Sequence, residues 1–176
     1  YLDLYLIHWP MPANNTFVET FKAFAYLRDQ QRVRSIGVCN FEPDHLTLLI
    51  DATGIVPTVN QIELHPLIPQ RELRAVHANL GIATEAWSPL GRGSLLSDPV
   101  VAGIAARHGK TPAQVLIRWH MHLGNIVIPK SVNPERIVSN FEVFDFDLSD
   151  EDMASIASLE TGTRLGSDPR TFNFTG

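Results

Sequence analysis

Five short apolar runs recur along the chain, near residues 2–8, 34–39, 57–62, 82–88 and 126–129, and each is followed by a longer stretch with helical periodicity. This alternation constrains the fold more than any other feature, because successive strands joined by helices pair in parallel, with right-handed crossovers covering both faces. The nearly continuous apolar character of Leu4-Tyr5-Leu6-Ile7 and Ile126-Val127-Ile128 fits strands buried on both sides. Helices are predicted over 16–31, 43–53, 70–80, 98–108, 112–123, 134–140 and 149–159. Thr111-Pro112 and Asn133-Pro134 each set a capping side chain before a proline at the first helical position, and Ser149 with Asp152 reads as a capping box. The class is α/β: either a small open sheet or part of an eight-stranded barrel, whose usual size is about 250 residues. The chain has 176 residues and opens inside a strand, without an initiator Met, so it reads as the later portion of something longer. Residues 1–159 are read as the folded part, and 160–176, rich in Thr, Gly, Asp and Pro, as a loose surface tail.

Composition removes several function classes. A net charge of −5 without a basic run argues against nucleic acid or an anionic membrane as partner. No apolar stretch approaches the roughly 20 residues that span a bilayer. A single cysteine, Cys39, cannot form an internal disulfide, and the seven histidines lack zinc-ligand spacing, so a reducing compartment, by default the cytoplasm, is expected.

In parallel α/β folds ligands bind beyond the C-terminal strand ends, so the residues ending each strand are diagnostic. All five predicted strands end in polar groups: His8; Asn40; Asn60, Gln61 and Glu63; Ser88 after Trp87; Lys130 and Ser131. Such groups also begin loops for no functional reason, but five in register suggest a polar site at an apolar mouth. The sharpest segment is Ile128-Pro129-Lys130-Ser131-Val132-Asn133-Pro134-Glu135-Arg136. Asn133 caps the next helix and Arg136 falls in its first turn, where a cation is disfavoured unless an anion is bound. Lys130, a forked Arg136 and free N–H groups together describe a phosphate site, with Asn140 on the face of Arg136. The alternative is an ordinary ion pair between Arg136 and Glu135 or an acidic tail residue.

Other motifs carry less. Gly109-Lys110-Thr111 lacks P-loop spacing and a preceding strand, and reads as a helix stop followed by a cap. Gly91-Arg92-Gly93 lacks the third glycine of a dinucleotide fingerprint and reads as a flexible loop. His120 and His122 point to different helix faces, Cys39 sits among apolar neighbours, and no Gly-x-Ser-x-Gly elbow exists. His8 shares strand parity with Leu2, Leu4 and Leu6, so it is expected on the core face at the open strand end. There it is either a satisfied core histidine or a donor polarising a substrate oxygen. Trp87 is either packing or a rim indole stacked on a flat ring.

Leu2-Asp3-Leu4-Tyr5-Leu6-Ile7-His8-Trp9-Pro10, Ser35-Ile36-Gly37-Val38-Cys39-Asn40-Phe41, Asn60-Gln61-Ile62-Glu63-Leu64-His65-Pro66, Trp87-Ser88-Pro89-Leu90-Gly91 and Ile128 through Phe141 occur in an order and spacing that resemble the aldo-keto reductase family. The likeness spans essentially the whole chain and is greatest to the bacterial 2,5-diketo-D-gluconate reductase branch. It implies strands 4–8 of a (β/α)8 TIM barrel, with the first three units missing, and NADPH as cofactor. By resemblance, Cys39, Asn40 and Gln61 would hold the nicotinamide carboxamide, Trp87 would stack on the ring, and Ser88 and Leu90 would line the pyrophosphate path. Lys130, Ser131, Val132, Arg136 and Asn140 would take the 2′-phosphate and adenine, while His8 orients a substrate carbonyl beside Trp9. Two positions depart from the family's habit: Cys39, more often Ser, and Ser139, where many members carry an acid. The family's catalytic Asp, Tyr and Lys belong to the units that these residues do not include, and Tyr1, Tyr5 and Tyr26 cannot replace the Tyr. The resemblance thus implies a monomeric NADPH-dependent carbonyl reductase acting on a small aldehyde or ketone, with these residues alone inactive. A non-catalytic nucleotide-binding regulatory module and a sugar-phosphate barrel enzyme are the alternatives.

Overall fold

The computed structural model describes residues 1–174. Five strands alternate with seven helices: β1 (Leu2–Ile7), α1 (Phe17–Asp29), β2 (Val33–Cys39), α2 (Pro43–Thr53), β3 (Val59–Glu63), α3 (Arg71–Leu80), β4 (Ala83–Trp87), α4 (Pro99–His108), α5 (Pro112–His122), β5 (Ile126–Val127), α6 (Pro134–Ser139) and α7 (Asp150–Ala157). The predicted alternation is realised, with each strand and helix within a few residues of its expected bounds.

The chain divides into two compact units. The first comprises 1–62, 70–84 and 166–176, the second 63–69 and 85–165. In the first, β1 runs parallel to β2 with Leu2 opposite Val33 and Ile7 opposite Val38, and β2 continues parallel to β3 with Val38 opposite Asn60. Ile36, Val38, Phe21, Phe41, Leu46 and Leu49 are buried there, removing enough apolar surface to drive the packing of α1 and α2. Gly37 in β2 is required by close approach: a Cβ would lie 2.6 Å from the Val59 carbonyl oxygen and 2.8 Å from Leu6. In the second unit β4 runs parallel to β5, Glu85 opposite Ile126, and Leu64, Ile104, Leu116 and Ile156 are buried.

The capping signals work as local chemistry requires. Thr111 Oγ1 accepts from the Gln114 N–H while the Gln114 side chain accepts from the Thr111 N–H. Asn133 accepts from the Arg136 N–H at 3.1 Å, and Ser149 and Asp152 bond reciprocally at 3.1 Å. Gly109 ends α4 at φ +62°, the left-handed position that glycine adopts at no steric cost.

Three expectations are corrected. The β1 face of Leu2, Leu4 and His8 is not core: Leu2 is 51% and Leu4 37% exposed, and His8 is exposed too, because parity fixes only which residues share a face, not what covers it. Gly91–Gly93, expected as a flexible loop, forms a 3-10 turn closed by Ser94 N–H to the Gly91 carbonyl. The tail, over its described residues 160–174, is not loose. The Leu165 N–H donates to Glu63 Oε1 at 2.6 Å, Arg170 Nη2 to Glu42 at 2.9 Å and the Ala13 N–H to Asn173 at 2.9 Å, while the Phe172 ring lies 4.5 Å from that of Trp9. Without helix or strand, the segment is tied instead by side-chain contacts, two of them hydrogen bonds donated to the buried acids Glu63 and Glu42.

Candidate active site

In the second unit, the ends of β4 and β5 and the start of α6 enclose a cavity of about 600 Å³. Six of the expected site residues line it: Ser88, Leu90, Lys130, Ser131, Arg136 and Asn140. Each arrives by local geometry. Ser88 follows β4 at φ +51°, a left-handed conformation uncommon for a residue with a Cβ, and its carbonyl accepts from the Gly91 N–H. Ser131 Oγ accepts from the Asn133 N–H, folding the β5–α6 connection so that Lys130 and Arg136 reach the same wall. Val132 is 88% exposed and lies outside the lining, because the same turn points it to solvent.

The cavity wall carries Lys130, Arg136 and Arg92 and no carboxylate. None of the three has an ion-pair partner among the described residues, so the expected alternative of an Arg136–Glu135 pair is not formed. Three uncompensated cations around one concavity raise the local potential for an anion. The helix start contributes less than its sequence suggests, since the Asn133 cap already uses the Arg136 N–H. Arg92 was not legible as a site residue. The available signal was its setting between two glycines: Gly91 and Gly93 have positive φ, and Arg92 itself sits at φ +51°.

The first unit gathers the other group. The Asn40 N–H donates to the Gln61 carbonyl at 2.9 Å, and Asn40 Nδ2 donates to the His8 carbonyl at 3.0 Å. Asn40 sits at φ +62°, a conformation that asparagine tolerates better than most residues. Cys39 is buried, and His8 and Trp9 line a smaller cavity of about 260 Å³ with Tyr5, Thr16 and Thr20. Trp87 belongs to the second unit and is half-buried at the end of β4, where its carbonyl accepts from the Leu64 N–H. The expected residues therefore fall into two clusters, one cationic and one built on β1, β2 and β3.

His120, by contrast, is buried against the Pro89 carbonyl at 3.0 Å, and His122 pairs with Asp147. No three His, Cys, Asp or Glu side chains are grouped for a metal ion among the described residues. No described helix is long and apolar enough to cross a membrane.

Residues 1–161 match the pattern of the Aldo/keto reductase family. The chain belongs to that family. An aldo-keto reductase of Mycolicibacterium smegmatis is 81% identical over all 176 residues, which span 64% of that relative. Methylglyoxal reductase DkgA of Escherichia coli is 51% identical over 174 residues, 98% of this chain and 63% of that protein. Among solved structures, apo Gox0644 and a Gox0644 variant in complex with NADPH each give a TM-score of 0.96 at 55% identity, covering 98% of this chain and 64% of theirs. This aldo/keto reductase chain thus spans slightly less than two-thirds of these relatives.

Proposed function

We propose that this chain is the coenzyme-binding portion of an NADPH-dependent aldo-keto reductase that reduces a small aldehyde or ketone, and that its five strands are the fourth to eighth of a (β/α)8 barrel. The observation carrying the reading is the acid-free cavity with Lys130, Arg136 and Arg92 on its wall, suited to the 2′-phosphate and pyrophosphate of the nucleotide. Kinship to a protein solved with NADPH supports the same reading. Ser88 and Leu90 line the path of the pyrophosphate, and Ser131 and Asn140 complete the adenosine end. Asn40, Gln61 and Cys39 receive the carboxamide, and Trp87 offers its indole to a flat ring.

When bound, the nicotinamide supplies hydride. The role of His8 is to donate a hydrogen bond to the substrate carbonyl oxygen, polarising the carbon and stabilising charge that develops on the oxygen. Trp9 packs beside that carbonyl. Reactive small carbonyls of the methylglyoxal type, on which relatives named methylglyoxal reductase act, are the first substrates to try.

The test is coenzyme affinity in the full-length protein. Replacing Lys130 and Arg136 by Ala should weaken NADPH binding by roughly 10- to 100-fold for each charge-assisted hydrogen bond removed. NADH, which lacks the 2′-phosphate, should be little affected. Undiminished NADPH affinity in the double variant would sink the assignment; phosphosugar binding without NADPH binding would instead favour a sugar-phosphate enzyme.

A further inference from the structure

Behind the cluster that holds Asn40 lies a fully buried polar chain that the proposed chemistry leaves unused. Asn60, on β3, turns its side-chain amide toward the segment leaving β2. Its Oδ1 accepts from the Phe41 N–H at 3.3 Å and its Nδ2 donates to the Phe41 carbonyl at 2.8 Å, extending the β2–β3 ladder beyond Gln61 with a side chain in place of backbone. The second hydrogen of Nδ2 goes to His77 Nε2, on α3, at 2.9 Å. Nε2 is therefore an acceptor, and His77 Nδ1 carries the proton that it donates to Thr84 Oγ1 at 2.8 Å. Asn60 and His77 are 0% and 1% exposed, so water does not compete for these bonds, and each N–H of the two side chains has an acceptor.

We propose that His77 is a positioning residue for the carboxamide end of the site: by accepting from Asn60 it fixes the Phe41 backbone, and with it the left-handed Asn40 whose amide holds the His8 carbonyl. The proposal rests on the roles assigned above to Asn40 and His8. Its physical content is that Asn40 keeps φ +62° only while both flanks are held. The Asn40 N–H is held by Gln61 on one side, and Phe41 by Asn60 on the other. Without an acceptor at Nε2, the Asn60 amide has a buried donor left over and no reason to keep its double bond to Phe41.

Two substitutions separate this from a merely structural role, because an Asn amide occupies the position of Nδ1 and a Gln amide that of Nε2. In the full-length protein, His77→Asn keeps a donor to Thr84 and loses the acceptor for Asn60. His77→Gln keeps the acceptor. H77N should speed hydrogen exchange of the Phe41 amide and weaken NADPH binding, each by about tenfold, the scale of one net hydrogen bond. Binding of 2′,5′-ADP, which has no nicotinamide, should stay unchanged, and H77Q should resemble the unsubstituted protein in all three measurements. Equal losses in H77N and H77Q, or unchanged Phe41 exchange in H77N, overturn the proposal. If H77N does not fold, Thr84→Val, which removes the oxygen that fixes the tautomer, serves instead: faster Phe41 exchange supports the proposal and unchanged exchange overturns it. Should the unsubstituted protein fail to bind NADPH, the functional reading falls; if it binds and H77N binds equally well, only the role of His77 falls.

Discussion

Two buried side chains show how single residues tie this protein to pH. Burial, reinforced by the neighbouring Arg74 cation, lowers the His77 imidazole from 6.5 to about 4. In the unfolded chain the same ring binds a proton below about 6.5, so over this window the unfolded state binds more protons than the native one. The stability that His77 contributes is complete above 6.5 and is lost as pH falls toward 4, by at most roughly 3 kcal/mol. Urea unfolding midpoints measured between pH 7 and pH 4 should fall accordingly, and H77Q should flatten the slope in that window. For Asp152, burial alone would raise the carboxyl, but hydrogen bonds from His108, Arg107 and the Ser149 backbone outweigh it and hold the group well below the ordinary carboxylate range. Its contribution survives to lower pH, so the first acid loss belongs to His77.

At the scale of elements, much was legible because caps are local. Thr111, Asn133 and Ser149 announce α5, α6 and α7 through bonds made within three residues, and no tertiary contact is needed to read them. The exposure of Leu2 and Leu4 was not legible, since the covering of a strand face is decided by elements distant in sequence. Gly37 is a further case: its need comes from Val59 on the adjacent strand, not from its own φ. Gly37→Ala should therefore separate β2 from β3 and cost about 1–3 kcal/mol, the usual scale for overpacking against an unyielding backbone. Thermal unfolding would read this directly, and an unchanged midpoint would show that the strands give way freely.

Taken as a whole molecule, the polar ends of β4 and β5 bring Ser88, Lys130 and Ser131 to the wall of one cavity. Lys130, Arg136 and Asn140 were readable because they fall within one strand-to-helix passage, whereas Arg92 reaches the same cavity from a turn whose shape depends on left-handed residues. The proposed division of labour gives these residues a coenzyme clamp and a carbonyl-orienting histidine, but no tyrosine to deliver the proton. Incubating the 176-residue chain alone with NADPH and methylglyoxal should accordingly leave absorbance at the reduced-nicotinamide band constant, and measurable oxidation would refute that division.

The first unit draws on three separated stretches of sequence, and its closing bonds join residues 128 and 160 positions apart, Arg170 to Glu42 and Asn173 to Ala13. Contacts of such separation form late, after a long loop has been closed. During synthesis the region bearing His8 and Trp9 must therefore wait, incompletely sealed, until residues 170–173 have cleared the ribosome. A chain stalled or clipped before residue 170 would hold the cationic cavity of the second unit in its sequence entire, yet leave Trp9 without its aromatic neighbour.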